Sequence, residues 1–72
     1  MNTYFVNGSE FVVEDDHPIT LGRLLQCYFD KNKKPTMFAV AVNKGFVAQP
    51  SYDSTYVEPG AVVDLFSPIQ GG

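Results

Sequence analysis

The stretch Tyr4-Phe5-Val6-Asn7-Gly8-Ser9-Glu10-Phe11-Val12-Val13 decides how this chain folds. Asn-Gly stands between two runs rich in aromatic and β-branched residues, the strongest short-range signal for two antiparallel strands joined by a two-residue turn. With Asn7 and Gly8 in the turn, Val6 faces Ser9, Phe5 faces Glu10 and Tyr4 faces Phe11. Alternate residues share a face, so Tyr4, Val6, Phe11 and Val13 form the predicted core side. Thr3, Phe5, Glu10, Val12 and Glu14 fall on the other side, a mixed surface rather than a cleanly polar one.

Beyond the acidic loop Glu14-Asp15-Asp16-His17-Pro18, Thr20 stands where a helix N-cap belongs. Ile19 and Leu24 have the spacing of a hydrophobic staple across that cap. The helix is predicted to begin at Leu21. Leu21, Leu24, Leu25 and Tyr28 then recur at i, i+3, i+4 and i+7, a single apolar stripe able to lie across a sheet. Asp30-Lys31-Asn32-Lys33-Lys34-Pro35 ends it, with cations at the negative end of the helix dipole and a proline that cannot continue it. Gly22 weakens the first turn slightly.

Met37-Phe38-Ala39-Val40-Ala41-Val42 is an unbroken apolar run of strand length and is predicted to be an inner strand. Asn43-Lys44-Gly45 turns the chain into a short strand at Phe46-Val47. Gln49-Pro50-Ser51-Tyr52-Asp53-Ser54 reads as an irregular connection with room for one helical turn, Tyr52 plugging the end of the core. Glu58-Pro59-Gly60 is a tight turn before a last strand, Ala61–Phe66, with Val63 and Leu65 on one face. Hairpin, helix, strand, short strand, strand is an α+β order, one mixed sheet with a main helix packed across it. Laying the last strand parallel to the first closes such a sheet.

Composition removes whole classes of function. Seventy-two residues make one domain of 8.0 kDa, too small for a deep pocket around a large cofactor. One cysteine and one histidine supply neither a disulfide nor a closed zinc site, so no metal is expected. No apolar stretch reaches the length of a membrane span, and the start lacks a signal-peptide pattern, which points to a cytoplasmic, reducing compartment and no membrane partner. A net charge of −3 argues against nucleic acid as a partner. All five bases, Arg23, Lys31, Lys33, Lys34 and Lys44, lie between positions 23 and 44, and the later sequence carries only acids. A partner of that later part should therefore be basic.

After Phe66 comes Ser67-Pro68-Ile69-Gln70-Gly71-Gly72, a proline that resists strand pairing and two glycines that resist ordering. Residues 1–66 are read as the domain and residues 67–72 as a flexible C-terminal tail. Having no Cβ, an extended Gly-Gly end can enter a channel too narrow for other residues and deliver a carboxylate there. That carboxylate is ionised at neutral pH and is a poor electrophile, so a partner must activate it. Adenylation by ATP gives a mixed anhydride, which sulfur or an amine can attack. A frayed glycine end with no chemistry fits the dipeptide equally.

The order of these features resembles the ubiquitin-like β-grasp sulfur carriers along the whole chain. Val6-Asn7-Gly8, Val40-Ala41-Val42-Asn43, Pro59-Gly60 and the ending Ile69-Gln70-Gly71-Gly72 are most similar to the ThiS family of thiamin biosynthesis. The resemblance implies a β-grasp fold and a carrier, not an enzyme. Its C-terminal glycine, here Gly72, would be adenylated by a ubiquitin-activating-like adenylyltransferase of the ThiF type and converted to a thiocarboxylate. Gly71 would give the slim approach. A sulfur donor such as a cysteine desulfurase would supply the atom, and thiazole synthase of the ThiG type would receive it. No cofactor would be bound by the carrier, ATP belonging to the activating partner. Ala41-Val42-Asn43 and Phe66-Ser67-Pro68 also resemble MoaD, the sulfur carrier of molybdopterin synthase. Two departures from the ThiS pattern stand out: Ala61 follows Gly60 where the family often has aspartate, and Tyr52 lies where relatives often have Trp.

Other residues attract attention and have ordinary explanations. Cys27 lies mid-helix without a cation expected beside it, which suits a packed thiol. His17 has no catalytic neighbours at useful spacing. Glu14, Asp15 and Asp16 read as a solvated acidic run before a helix, and Lys31, Lys33 and Lys34 as a solvated helix end. Phe5 and Phe66, expected on the face away from the helix, are candidates for a partner interface, with Ile69 and Gln70 of the tail. Two rival functions remain at this point. A ubiquitin-like modifier would use the same activation to form an amide with a lysine, and an interaction module would use the sheet face alone.

Overall fold

A computed structural model describes residues 1–16 and 18–67. Strands β1 (Asn2–Val6) and β2 (Ser9–Val13) form the predicted hairpin in the predicted register, Tyr4 opposite Phe11 and Val6 opposite Ser9. Asn7 and Gly8 both have positive φ, 53° and 84°, the turn whose twist matches the strands it joins. A two-residue strand β3 (Ile19–Thr20) leads into helix α1 (Leu21–Lys31). The Thr20 hydroxyl accepts a hydrogen bond from the Arg23 amide at 3.1 Å, the predicted cap. At the other end the Asn32 side-chain amide donates to the Tyr28 carbonyl at 2.9 Å.

Four more strands follow: β4 (Ala39–Val42), β5 (Gly45–Val47), β6 (Tyr56–Val57) and β7 (Val62–Phe66). A 3-10 turn at Gln49–Ser54 occupies the predicted irregular connection. The main sheet runs β2-β1-β7-β4-β5, so the last strand is its centre, parallel to β1 and antiparallel to β4. The turn before β7 carries Gly60 at φ 88°, with the Ala61 amide bonded to the Glu58 carbonyl at 2.9 Å. Proline then glycine at its centre suits a type II turn. This is the ubiquitin-like β-grasp arrangement expected from the sequence.

Leu21, Leu24 and Leu25 of α1 are buried with Tyr4, Val6 and Val13 of the hairpin and with Val40 and Val63 of the inner strands. Each such side chain contributes roughly 1.5–3 kcal/mol by leaving water. Along the rim, edge-on ring contacts link Phe11 to Tyr28, Tyr28 to Phe29 and Phe29 to Phe38, with centroids 5.2–5.5 Å apart. The helix is thereby tied to both β2 and the segment before β4.

One expectation is corrected, and two features are added that the sequence alone does not specify. The apolar run at 37–42 enters the sheet only at Ala39, because its partner β7 ends opposite that residue, Ala39 facing Phe66. Met37 is left 68% exposed and Phe38 packs on Phe29 instead. In the turn after β4 the left-handed positions fall to Asn43 and Lys44, at φ 50° and 74°, while Gly45 is already paired with Val42. A second, two-stranded sheet of β3 and β6 pairs Ile19 with Val57 and Thr20 with Tyr56, which no periodicity announces. It holds the helix start against the late loop, helped by the bond from the Leu21 amide to the Thr55 carbonyl. Gly22 also has a reason beyond propensity, because a Cβ there would run into the Asp53 carboxylate.

The Tyr4 hydroxyl is buried without a hydrogen-bond partner among the described residues, and burial, with Asp15 adding to it, raises its pKa. A desolvated hydroxyl that makes no bond costs stability. Tyr4→Phe is therefore expected to leave urea-unfolding stability unchanged or raise it by up to about 1 kcal/mol. A loss greater than that would mean that the hydroxyl is bonded in solution.

Candidate functional site at the end of the central strand

Strand β7 carries the chain out of the sheet, so whatever chemistry resides at the C-terminus is delivered from the middle of the main sheet. Its two edges differ. On the β4 side, pairing continues to its last residue, Phe66 opposite Ala39. On the β1 side the ladder stops at Val63, paired with Val6, because β1 turns away at Asn7. The Asn7 amide donates to the Val63 carbonyl at 2.9 Å, and its side-chain oxygen accepts from the Leu65 amide at 2.8 Å. Asn43 acts comparably at the start of β7, donating its amide to the Val62 carbonyl at 2.7 Å and accepting the Val62 amide on its side chain at 3.0 Å.

The sheet face away from α1 is set by the same register. Phe5 lies beside Val62, and Asp64 and Phe66 share that side of β7 with Ala41 and Ala39 opposite them. Phe46 faces Ala41 from β5, and its ring meets that of Phe66 at 5.7 Å between centroids, tilted by 50°. Phe46 is 75% exposed, Phe66 49% and Val62 41%, while Phe5 is half-buried. With Asp64 among them and Glu10 opposite Phe5, this is an apolar surface set with acids. A basic, apolar partner surface would complement it. Phe46 was not singled out in the sequence. The available signal was register, since a two-residue turn at Asn43-Lys44 puts Phe46 opposite Ala41 and on the Phe66 side.

Beside the same strand end a groove opens between α1 and the segment before β4, its lining including Leu25, Phe29, Phe38, Phe66 and Ser67. Of the other residues singled out above, Phe5 and Phe66 share one face, whereas Ile69, Gln70, Gly71 and Gly72 lie outside the described residues, as does His17. Cys27 is half-buried and packed against the core. Lys31, Lys33 and Lys34 are exposed. Among the described residues no cluster of His, Cys, Asp and Glu could hold a metal ion, and no helix is long and apolar enough to cross a membrane.

The acidic loop is not merely solvated. Arg23 grips Asp15 with two donors, Nε to Oδ2 at 2.7 Å and Nη2 to Oδ1 at 3.2 Å. This hydrogen bonding holds the Asp15 carboxyl below its usual pKa. The folded state then releases that proton more readily than the unfolded chain, so the pair's stabilisation is present above the ordinary carboxylate pKa of about 3.9 and disappears as pH falls through the folded value. Asp15→Asn should accordingly unfold at lower urea than wild type at pH 6, with the two curves converging as pH falls below the depressed folded-state value of Asp15. A gap that persists in acid would assign the difference to packing instead.

The sequence model of the ThiS family matches residues 3–72. A crystal structure of the thiamine biosynthesis protein ThiS from Geobacter metallireducens superposes with a TM-score of 0.77 at 23% identity, covering 97% of this chain and 99% of that one. An NMR solution structure of a thiamine biosynthesis protein from the same organism gives a TM-score of 0.66 at 26% identity, covering 100% and 87%. No curated protein matches the chain.

Proposed function

Since this chain belongs to the ThiS family, we propose that it is a sulfur carrier whose working group is the carboxylate of Gly72. The observation that carries this reading is the extent of the family match, which runs through residue 72 and so includes the Gly71-Gly72 end. In the proposed reaction a carboxylate oxygen of Gly72 attacks the α-phosphorus of ATP and pyrophosphate leaves. A persulfide, supplied by a donor such as a cysteine desulfurase, then displaces AMP from the acyl carbon to give an acyl disulfide. A second thiol attacks the donor-side sulfur, forming a disulfide with the donor and freeing the acyl-bound sulfur. The product is a C-terminal thiocarboxylate with sulfur in place of one oxygen.

In this proposal ATP and the catalytic groups belong to a ThiF-type adenylyltransferase. The carrier supplies a substrate and a docking surface and is not itself an enzyme. The end of β7 and the face bearing Phe5, Phe46 and Phe66 are its handle, because aromatic anchors are suited to dominate a small interface. Residues 67–72, at roughly 3.3 Å each, reach about 20 Å from that surface when extended, enough to enter a partner's active site. A ThiG-type thiazole synthase then takes the sulfur for the thiazole of thiamin, a reading that the family match favours over the molybdopterin pathway.

Intact mass spectrometry after incubation with ATP, a ThiF-type enzyme and a sulfur donor tests the proposal. The expected result is the mass gain of one oxygen replaced by sulfur, localised by fragmentation to Gly72. An unmodified mass with an enzyme that is active on its own carrier would overturn it. Conjugates of higher mass to lysine-bearing proteins would instead establish a modifier.

A further inference from the structure

We infer that Asn7 is a positioning residue for the C-terminal chemistry, its side chain setting the direction in which the chain leaves the sheet. The inference rests on the sulfur-carrier reading for its consequence, although its structural part stands independently. By the stride of the parallel ladder, the Phe5 amide bonds Ala61 and the Asn7 amide bonds Val63. The Leu65 amide would next meet the backbone carbonyl of residue 7. At that point β1 has turned into the hairpin, with Asn7 at φ 53°. The Asn7 side-chain oxygen takes the Leu65 amide instead, at 2.8 Å and across 58 positions of sequence. It thus extends the β1 side of the ladder by one bond, two residues before Ser67.

Without that bond the end of β7 is held to the sheet along its β4 edge alone and can pivot there. Asn43 provides the internal comparison. It makes the same kind of side-chain bond from the same kind of turn, but to Val62 at the entry of β7. A purely structural role predicts similar consequences from losing either asparagine. A positioning role assigns the loosening of the exit to Asn7.

The test uses Asn7→Gly, which keeps a residue suited to the turn and removes the acceptor, Asn7→Asp, which keeps an acceptor and tolerates the left-handed backbone, and Asn43→Gly. Backbone relaxation by NMR should show lower order at Leu65, Phe66 and Ser67 in Asn7→Gly, near-native order in Asn7→Asp, and no change there in Asn43→Gly. In ATP–pyrophosphate exchange with the activating enzyme, Asn7→Gly should raise the KM for the carrier about two- to tenfold at constant kcat, because a smaller fraction of the carrier presents its end correctly. Asn7→Asp should restore KM. Unchanged order at 65–67 in Asn7→Gly, equal loosening by Asn43→Gly, or no rescue by Asn7→Asp overturns the inference. A wild-type carrier that supports no exchange defeats the sulfur-carrier reading, and the relaxation comparison still decides whether Asn7 fixes the exit.

Discussion

Deleting Gly72 is expected to abolish sulfur acceptance while leaving the urea-unfolding curve of the domain unchanged. The two halves of that expectation have separate grounds. The buried core is drawn from the hairpin, α1 and the strands up to Val63, so removing a residue nine positions later takes away none of those contacts. The chemistry would lose more than its reacting carboxylate. The shortened chain still ends in a carboxylate, now on Gly71, but about 3.5 Å short of the position occupied by a full-length end. Misplacement by even an ångström can cost about a hundredfold in rate, so little acceptance should survive. Acceptance at more than a few per cent of the wild-type rate would show that the sulfur goes elsewhere. Lengthening the chain by one residue after Gly72 should be equally damaging.

How much of this was legible beforehand depends on the range over which each feature is decided. The Asn7-Gly8 hairpin and the Thr20 cap are settled within a few residues, and alternation or the helical stripe then assigns the core faces. Features decided between distant segments behave differently. Ile19-Thr20 pairs with Tyr56-Val57 over two residues each, too short to leave a period. The strand at 37–42 is trimmed because β7 stops opposite Ala39, a limit set by a segment more than twenty residues away. Asn43-Lys44-Gly45 shows a local rule overridden, since pairing of Gly45 with Val42 forces a lysine into the left-handed region that glycine would occupy more comfortably.

At the candidate site the division is the same. Alternation along single strands puts Phe5 and Phe66 on one side, but it takes the register between β4 and β5 to bring Phe46 onto Phe66. Asparagine before glycine announces a turn. Nothing local says that the Asn7 side chain also closes a ladder with the strand at the far end of the chain. Conversely, the terminal glycines are read from sequence alone, because their proposed role comes from what they lack and from a partner's channel rather than from contacts within the domain.

Leu24→Ala carries the largest expected cost within the fold. Leu24 is fully buried and lies at the centre of the apolar stripe that α1 presents to the sheet. Truncating such a leucine removes transfer free energy and leaves a cavity that the surroundings fill only in part, typically costing about 2–5 kcal/mol. At roughly 0.05–0.15 kcal/mol per residue, a chain of this size has a total stability of about 4–11 kcal/mol. One substitution can therefore consume half of it or more, and a small domain has no second core to share the load. Urea unfolding should show a midpoint lowered by that cost divided by the slope, with the slope preserved if the native state stays compact. Cys27→Ala, on the same helix but half-buried, should cost clearly less. If both substitutions cost the same, the helix is not packed through the Leu21-Leu24-Leu25 stripe. If Leu24→Ala is folded at low temperature, its sulfur acceptance there should match wild type, because the lesion lies in the platform and not in the end that the platform presents.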